Sequence, residues 1–270
     1  MDFETVKNLW QPHGHNAKAA VEWWNGNAEK YSAMELPSPE NSLAMRIIEK
    51  EGMVKAGSTV LDVGCGGGRF SFAFAAMGAK AVATDFSRKM IEEALKRQEQ
   101  MGTNVSFRVD DWRTLDLKGK RWDKSFDLVL AHMTPAVTSA DTFLKLSDAS
   151  RNWVLMLKPT RRTNSVLDEL IKIIGADEDT KSLDETIAFA FDILWMMGCS
   201  PKLEYEKQIW KNDVPLEQAI REYTLRLSSM HDLSDEDKDR ISTYLRDIAQ
   251  DGIVHETTNT TIVAMYWQVI

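Results

Sequence analysis

The sequence predicts an α/β protein built around a doubly wound, mostly parallel sheet. The first observation is a short apolar run, Val60 to Val63, that breaks into glycines and then into an apolar helical segment. The second is a series of four further runs of strand length with helical segments between them. The third is the last part of the chain, where alternating segments from Lys202 and from Thr260 flank two amphipathic helical segments. Strands that alternate with helices are typical of parallel sheets covered on both faces.

The turn after the first strand is rich in glycine, and its spacing limits what it can bind. A dinucleotide fingerprint places a glycine at its sixth position, but Arg69 or Ser71 stands there in the two possible alignments. Residues that fit another pattern stand at alternate positions, namely Asp62, Gly64, Gly66 and Gly68. This pattern resembles the first motif of the class I S-adenosylmethionine (SAM)-dependent methyltransferases. A tight turn in some other α/β protein is the alternative interpretation.

The resemblance implies a Rossmann-like sheet of seven strands, with a helical N-terminal extension and a helical C-terminal lid. It implies three parts: a cap over residues 1–52, a cofactor-binding core over 53–160, and a C-terminal part over 161–270 that completes the sheet. In this family the glycine loop lies against SAM. The cofactor contacts expected in the loop are Asp62, Gly64, Cys65, Gly66 and Gly68.

The composition is that of an ordinary soluble globular chain, and it disfavours several classes of function. The 270 residues carry 33 basic and 41 acidic side chains, a net charge of -8, which argues against a large nucleic-acid footprint. Cys65 and Cys199 give neither a metal-ligand spacing nor a disulfide framework, so we expect reduced thiols, a cytoplasmic location and no bound metal. The acidic start predicts no signal peptide, and no apolar run reaches the ~20 residues of a membrane span.

Aromatic residues are concentrated in the N-terminal segment. The stretch from Trp24 to Tyr31 is similar to the Trp-Asp-x-x-Ala-x-x-Tyr entry of small-molecule methyltransferases. In those proteins the tyrosine often lies over the methionine end of the cofactor. The resemblance therefore implies a cofactor contact for Tyr31 and a substrate contact for Trp24. Alternatively, these side chains only pack the extension onto the core.

The second predicted strand, Lys80 to Asp85, ends on a carboxylate about 20 residues after the glycine loop, where an acid can accept hydrogen bonds from both ribose hydroxyls. A helix cap is the competing role for Asp85. Because Ser87 can cap the next helix, Asp85 is left for a ligand. Phe86 and Met90 are expected to contact the adenine or the ribose, or else to belong to the core.

The third predicted strand, 105–110, runs into Asp111 and Trp112. In the family that the chain resembles, an acid at this point meets the adenine amino group, and the next side chain lines the ring. Asp111 is the expected acid, with Asp110 one position away, and the flat apolar face of Trp112 suits a purine. The alternative is a solvated acidic loop with a buried tryptophan.

The fourth predicted strand, 125–132, is almost wholly apolar, as strands inside parallel sheets are. Ligands of open α/β sheets lie beyond the carboxyl ends of the strands, so the loop after this strand should face the transferred methyl group. His132 is the candidate general base and a cofactor contact, with a structural histidine as the alternative. Met133 and Thr134 are expected substrate contacts. His-Met-Thr-Pro departs from the Asn-Pro-Pro-Tyr-like motif of N-methyltransferases for planar amines, so that substrate class is not predicted.

The rest of the chain is less regular. A fifth strand is predicted over 152–157, ended by Lys158-Pro159, after a polar surface loop over 118–124. Helical segments are predicted over 163–174 and 182–197. The helix pair within 212–252 is either a lid or a plain structural hairpin.

The predicted function is transfer of a methyl group from SAM to a small-molecule acceptor by in-line displacement, which leaves S-adenosylhomocysteine. The aromatic N-terminal segment and the C-terminal helix pair could enclose a compact substrate. An RNA or protein methyltransferase and a non-catalytic SAM-binding protein are the alternatives. The expected partner is a small molecule, with no nucleic acid and no membrane, and the chain is expected to act as a monomer or homodimer.

Overall fold

Seven strands form one sheet in the computed structural model, which describes residues 2–12, 17–176 and 181–270. They lie in the order β3-β2-β1-β4-β5-β7-β6. In this described part of the chain the strands are β1 Thr59–Val63, β2 Lys80–Asp85, β3 Ser106–Val109, β4 Phe126–His132, β5 Ser150–Asn164, β6 Lys202–Pro215 and β7 Ile253–Gln268. The predicted seven-stranded, doubly wound sheet is confirmed.

The sheet is mostly parallel, also as predicted. β1 pairs in parallel with β2 and β4, and the pairs β2–β3 and β4–β5 are parallel too. β7 runs antiparallel to both β5 and β6. The direction of winding reverses at β1, which lies between β2 and β4, and open α/β sheets bind ligands at the carboxyl ends of strands at such a switch point.

Helices surround the sheet, and serines begin several of them. Ser42, Ser87 and Ser234 cap α4, α6 and α12 with their side chains, and the cap at Ser87 is the one predicted above. The predicted surface loop over 118–124 starts inside the short helix α7. No helix in the described ranges is long and apolar enough to cross a membrane. The helices of these ranges are α1 Phe3–Leu9, α2 Ala17–Gly26, α3 Ala28–Ser32, α4 Leu43–Glu51, α5 Arg69–Ala76, α6 Arg88–Met101, α7 Leu117–Lys120, α8 Ala140–Ala149, α9 Leu167–Ile173, α10 Lys181–Met196, α11 Leu216–Ser228 and α12 Asp235–Ile248.

Each face of the sheet carries its own apolar core, because successive side chains of a strand point to opposite sides. On β1, Val60 lies in one core and Leu61 in the other. On β4, Leu128 and Val129 divide in the same way. The central strands are therefore buried on both faces, which explains their uninterrupted apolar sequences.

β5 is longer than predicted, because Pro159 does not end it. The Leu157 carbonyl accepts a hydrogen bond from Met133 N at 2.9 Å, just after the last residue of β4. Because the backbone groups of alternate residues point to the same edge of a strand, the position at which Pro159 lacks an N–H also faces the β4 side. β4 has already ended there, so the sheet loses no hydrogen bond. β5 therefore continues to Asn164 and pairs there with β7.

β6 and β7 also extend beyond the predicted segments, and their far ends carry a third apolar cluster. The helices α9, α11 and α12 cover these strand ends. The predicted helix pair thus has a core of its own, separate from the two sheet cores. Its buried members are Val166, Leu167, Leu170, Ile171, Val214, Ala219, Tyr223, Leu227, Ile241, Leu245 and Val254.

The N-terminal segment divides its contacts between two places. α1 contacts α8 and α10, and the Trp10 ring lies 5.1 Å from the Phe143 ring inside a sheet core. α2 and α3 contact α6 instead, and α2 also contacts α11. The helices α2 and α3 therefore lie over the side of the sheet where the parallel strands have their carboxyl ends. The division of the chain into three parts stays a prediction.

Candidate functional site

The glycine loop joins β1 to α5 and is held by backbone hydrogen bonds to β2. Gly64 N and Cys65 N both donate to the Thr84 carbonyl, at 2.8 and 2.9 Å. Gly64, Gly66 and Gly68 have φ values of 68°, 53° and 78°. Residues with a Cβ rarely adopt this left-handed region, so the backbone conformation itself requires the alternate glycines.

Neighbouring protein closes three positions of the loop, one of them Gly68, where an added methyl group would lie 2.6 Å from the Phe107 ring. A methyl group at Gly64 would lie 1.9 Å from Thr134 Oγ1, and one at Gly67 would lie 2.5 Å from Ser32 Cα. Gly66 differs, because a methyl group there would approach only a Met90 sulfur, at 3.9 Å. Gly66 is therefore where a ligand can approach the loop backbone most closely.

Asp85 stands directly beside Gly66. One carboxylate oxygen accepts a hydrogen bond from Gly66 N at 2.9 Å, and the other accepts one from Ser87 N at 2.8 Å. The side chain is buried and forms no ion pair with any described residue. Burial raises the pKa of this carboxyl, and the two N–H groups oppose that rise. Because each oxygen can accept a second hydrogen bond, a pair of adjacent hydroxyls would suit this carboxylate.

The helix cap, which was the competing role for Asp85, is provided by Ser87. The Ser87 side chain accepts a hydrogen bond from Met90 N at 3.1 Å and caps α6, as predicted. Met90 is buried, with its sulfur toward Gly66, whereas Phe86 is partly exposed. The structure therefore brings Asp85, Met90 and Gly66 together.

Asp62 and Cys65 lie inside the loop rather than on its open side. Asp62 is 2% exposed and accepts a hydrogen bond from Ser71 Oγ at 2.6 Å. Burial raises the pKa of Asp62 to about 7, and the nearby Asp85 adds to the rise. Burial also raises the pKa of the Cys65 thiol, so it is not a reactive thiolate. The predicted cofactor contact of the Asp62 side chain is corrected to a supporting role under the loop.

The predicted adenine site after β3 is engaged with protein. The Asp111 carboxylate accepts hydrogen bonds from the Arg113 guanidinium at 2.7 to 3.1 Å, and Asp110 pairs with Lys120 at 2.8 Å. Arg113 lowers the pKa of Asp111. Ion pairs thus occupy both acids that sequence reasoning assigned to the adenine amino group.

Trp112 is a core side chain. It is 2% exposed, and its Nε1 donates to the Thr142 carbonyl at 2.9 Å. The Lys145 ammonium lies 5.6 Å from the ring centroid. The indole therefore has no open face for an adenine ring, and the structure supports the alternative interpretation, a buried tryptophan.

His132 lies at the end of β4, next to the glycine loop. Its ring centroid is 4.3 Å from that of Phe70, the second residue of α5. Burial lowers the pKa of His132 to about 3, and the charge of Arg69 lowers it further. An imidazole with this pKa holds a proton weakly, so the predicted general-base role is not supported and a structural role is favoured. Met133 follows with a positive φ of 52°.

Thr134 is enclosed by protein, contrary to its predicted substrate contact. It is 5% exposed, lies against Gly64, and its carbonyl accepts a hydrogen bond from Lys158 Nζ at 2.9 Å. Lys158 also donates to the Val137 carbonyl at 2.8 Å. Burial lowers the pKa of Lys158 to about 8. Lys158 therefore fixes the loop after β4 through two hydrogen bonds, and Thr134 packs this loop against Gly64.

The N-terminal aromatics lie on the other side of the loop. The Trp24 and Tyr31 rings are 5.6 Å apart, and α3 continues to Ser32, whose backbone covers Gly67. The Arg97 guanidinium donates to the Ser32 and Met34 carbonyls and fastens this segment to α6. The Tyr31 backbone thus lies at the loop, and the contacts of Trp24 with substrate and of Tyr31 with the cofactor stay predictions.

Sequence reasoning missed several basic residues around the site. Arg69 follows the last loop glycine, its guanidinium lies 5.2 Å from the Phe70 ring, and its buried Nε makes no hydrogen bond in the described structure. Arg162 and Arg226 reach the same region from β5 and α11. From the sequence alone, only Arg69 could have been identified, by its position directly after the glycines, because Arg162 and Arg226 are far from any motif.

The residues present fit SAM. The fit rests on the open backbone at Gly66, the buried carboxylate of Asp85 beside it, and the cation of Arg69 at the start of α5. The Gly66 backbone would lie against the nucleoside of SAM, Asp85 would accept hydrogen bonds from its ribose hydroxyls, and Arg69 would pair with its carboxylate. Among the described residues, no group of three or more His, Cys, Asp or Glu could hold a metal ion.

Comparisons with known proteins agree with this geometry. Residues 54–190, half of the chain, match the family model described as a methyltransferase domain. The chain is 36% identical over 104 residues to the ubiquinone biosynthesis O-methyltransferase of Coxiella burnetii, covering 38% of this chain and 42% of that protein. It is 29% identical over 168 residues to the protein of the same name from Chelativorans sp., covering 58% of this chain and 64% of the relative. The matched part thus spans less than two thirds of the length of these curated relatives.

Among solved structures, a candidate methyltransferase from Bacillus halodurans C-125 resembles the fold, with a TM-score of 0.50 and 16% identity. The alignment covers 83% of this chain and 97% of that one. At this identity the likeness concerns the fold. Together with the family match, the glycine loop and the strand order, it leads to one conclusion: the chain belongs to the class I SAM-dependent methyltransferases.

Proposed function

We propose that this protein transfers a methyl group from SAM to a small-molecule acceptor. The observation that carries the proposal is the open Gly66 backbone beside the buried, unpaired carboxylate of Asp85. Such an arrangement suits a nucleoside, because the glycine permits close approach and the carboxylate accepts the ribose hydroxyls. Family membership supports the same cofactor.

Three side chains are assigned roles toward the cofactor. Asp85 accepts hydrogen bonds from the ribose, and Met90 provides an apolar contact from below Gly66. Arg69 pairs with the carboxylate at the methionine end, which would give its buried Nε an acceptor. Trp24 and Tyr31 remain proposed contacts to substrate and cofactor.

When bound, SAM supplies a methyl group already activated by its sulfonium. The protein's own contribution is positioning, since holding two reactants in contact can provide on the order of 7 to 11 kcal/mol. His132 packs the end of β4 against the Phe70 ring, and Lys158 fixes the loop that follows. These residues therefore act as positioning residues, and proton removal is left to the acceptor itself or to solvent.

A small acceptor is favoured by the way the site is covered. α2 and α3 lie over the glycine loop, and α11 packs against α2. Aromatic side chains of the N-terminal segment therefore cover the candidate site. The names of the relatives from Coxiella and Chelativorans point to oxygen as an acceptor atom in those proteins. We therefore place phenols first among acceptors for this chain.

The test is a product assay with methyl-labelled SAM. Purified protein is incubated with phenols, thiols and amines, and both the labelled product and S-adenosylhomocysteine are quantified. The proposal expects acceptor-dependent formation of both in equal amounts. Transfer of label to protein or RNA only, with none to any small molecule, would contradict it.

Two free, buried cysteines, Cys65 and Cys199, support the proposal of a reducing, cytoplasmic location. The net charge of -8 supports a partner other than nucleic acid. Action as a monomer or homodimer stays a prediction.

A further inference from the structure

Two arginines converge above the strand ends, and among the described residues neither has a carboxylate within ion-pair distance, although the charge of Glu256 acts on both. Arg162 lies on β5, and Arg226 lies on α11, which packs against α2. Neither guanidinium forms an ion pair or a hydrogen bond in the described ranges of the chain, and the Arg162 Nε is buried without any acceptor. Both side chains are partly exposed, and the buried part of Arg162, its Nε, needs an acceptor that no described residue supplies.

A local irregularity of β5 places Arg162. The register between β5 and β7 shifts between Thr160 and Thr163, so an extra residue is inserted there. Arg161 has a positive φ of 46° at this bulge. Bulges re-aim side chains and are frequent next to active sites, and here the Arg162 guanidinium lies 5.2 Å from the Trp210 ring on β6.

Tyr31 ties the two arginines to the glycine loop. Arg162 and Arg226 are both close enough to lower the pKa of the Tyr31 hydroxyl, against the larger rise caused by burial. Each arginine also faces the other, and this repulsion adds to the burial that lowers the pKa of Arg162. The Tyr31 backbone in turn contacts the loop at Gly67.

The acids of this region are committed to other donors. The Glu256 carboxylate accepts hydrogen bonds from the Tyr223 hydroxyl, from Asn212 at 2.7 Å and from Asn164 at 3.2 Å. Glu222, which faces Tyr31, accepts one from Gln218 at 2.7 Å. Three neutral donors thus use the oxygens of Glu256 and leave both guanidinium groups available.

We propose that Arg162 and Arg226 bind an anionic oxygen group, a carboxylate or a phosphate, on the methyl acceptor. This assignment rests on the proposed function and specifies its substrate class. A planar guanidinium on an aromatic ring is a preorganised site for such a group. The body of the acceptor then lies among the rings of Trp24, Tyr31 and Trp210, on the path to the glycine loop.

The experiment titrates the full-length protein by calorimetry with benzoate, phenyl phosphate and the neutral isostere benzamide, with and without saturating S-adenosylhomocysteine. The two anionic probes distinguish carboxylate from phosphate. The variants are Arg162→Gln and Arg226→Gln, with Arg162→Lys as a milder second form. Arg221→Gln, an exposed arginine of the same helix α11, is the matched control.

The expected result is that at least one anionic probe binds about ten-fold more tightly than benzamide. Each Gln variant loses most of this preference, Arg162→Lys keeps part of it, and Arg221→Gln keeps all of it. The affinity for S-adenosylhomocysteine stays within about two-fold in every variant.

Two results would overturn the assignment. One is an equal affinity of the wild type for anionic probes and benzamide. The other is a loss of S-adenosylhomocysteine affinity in the Gln variants, because the arginines would then serve the carboxylate of the cofactor. Failure of the wild type to bind S-adenosylhomocysteine would instead count against the proposed function. The probe titrations in the absence of S-adenosylhomocysteine would still show whether Arg162 and Arg226 bind an anion.

Discussion

At the scale of single residues, two buried carboxylates show how their partners decide their chemistry. Asp85 accepts two backbone N–H groups and keeps an oxygen face toward Gly66, where a ligand can lie. Asp62 accepts hydrogen bonds from Ser71, including one from its Oγ, and is 2% exposed. Asp85 is therefore suited to binding, whereas Asp62 carries a cost of burial that a ligand does not relieve.

This cost predicts a pH-dependent stability. The pKa of Asp62 is about 7 in the folded protein against an ordinary value of 3.8. The folded state therefore binds more protons than the unfolded state between these values, and this carboxyl makes the protein less stable as the pH rises from 4 to 7. Asp62→Asn, whose amide oxygen can still accept from Ser71, should be more stable than the wild type at pH 8, by up to about 4 kcal/mol.

Urea unfolding at pH 8 and at pH 4 measures this difference. The stability advantage of Asp62→Asn should shrink toward pH 4, where the wild-type carboxyl is protonated in the folded state and about half protonated in the unfolded state. An equal or lower stability of the variant at pH 8, or an advantage that does not change with pH, would show that Asp62 is not held in a destabilised charged state.

At the scale of elements, the helix pair α11–α12 behaves as a unit with its own core. Its buried leucines and isoleucines pack with α9 and the far ends of β5, β6 and β7, separately from both sheet cores. The same helices carry Arg226 toward the glycine-loop side. A lid needs such independence, since it has to open without disturbing the sheet.

Leu227→Ala tests whether this core is independent. Leu227 is fully buried in the cluster, so its truncation should cost about 2–5 kcal/mol within that unit. Hydrogen exchange should become faster in α9, α11 and α12, while the amides of β1 and β4 keep their protection. Leu9→Ala, at a side chain that is 52% exposed, is the control. Equal acceleration in β1 and β4 would mean that helix pair and sheet open together.

At the scale of the whole molecule, the sheet was predictable because its signals are local and repeated. Apolar runs, glycines and capping serines follow one another at the spacing that strands and helices require. β5 was predicted too short. A proline ends a strand only where a neighbouring strand needs its N–H as a donor, and β4 ends before Pro159. Where β4 ends relative to β5 depends on the tertiary structure and cannot be read from the local sequence. The additional length of β5, β6 and β7 follows from packing against α9, α11 and α12.

The placement of the candidate site was predictable where residues lie next to a motif, since Gly66 and Asp85 are hydrogen-bonded to each other, while their contact with the cofactor stays a proposal. It was not predictable where side chains had to be oriented by packing. Trp112 points into the core, Asp111 pairs with Arg113, and His132 packs against Phe70. The arginines on β5 and α11 meet only because a bulge and a helix contact bring distant parts of the chain together.

The central claim is that Asp85 and Gly66 form the cofactor site, and calorimetric titration with S-adenosylhomocysteine tests it most directly. The wild type should bind, and Asp85→Asn should bind about 10- to 100-fold more weakly, because hydrogen bonds to a charged group contribute about 1.5–3 kcal/mol. Gly66→Ala, whose new methyl group would meet only the Met90 sulfur, should lose most of its affinity, with about 1–2 kcal/mol of stability lost to the strained φ of 53°. Asp110→Asn, at an acid paired with Lys120, should bind like the wild type. No binding by the wild type, or equal affinities of Asp85→Asn and Asp110→Asn, would contradict the claim.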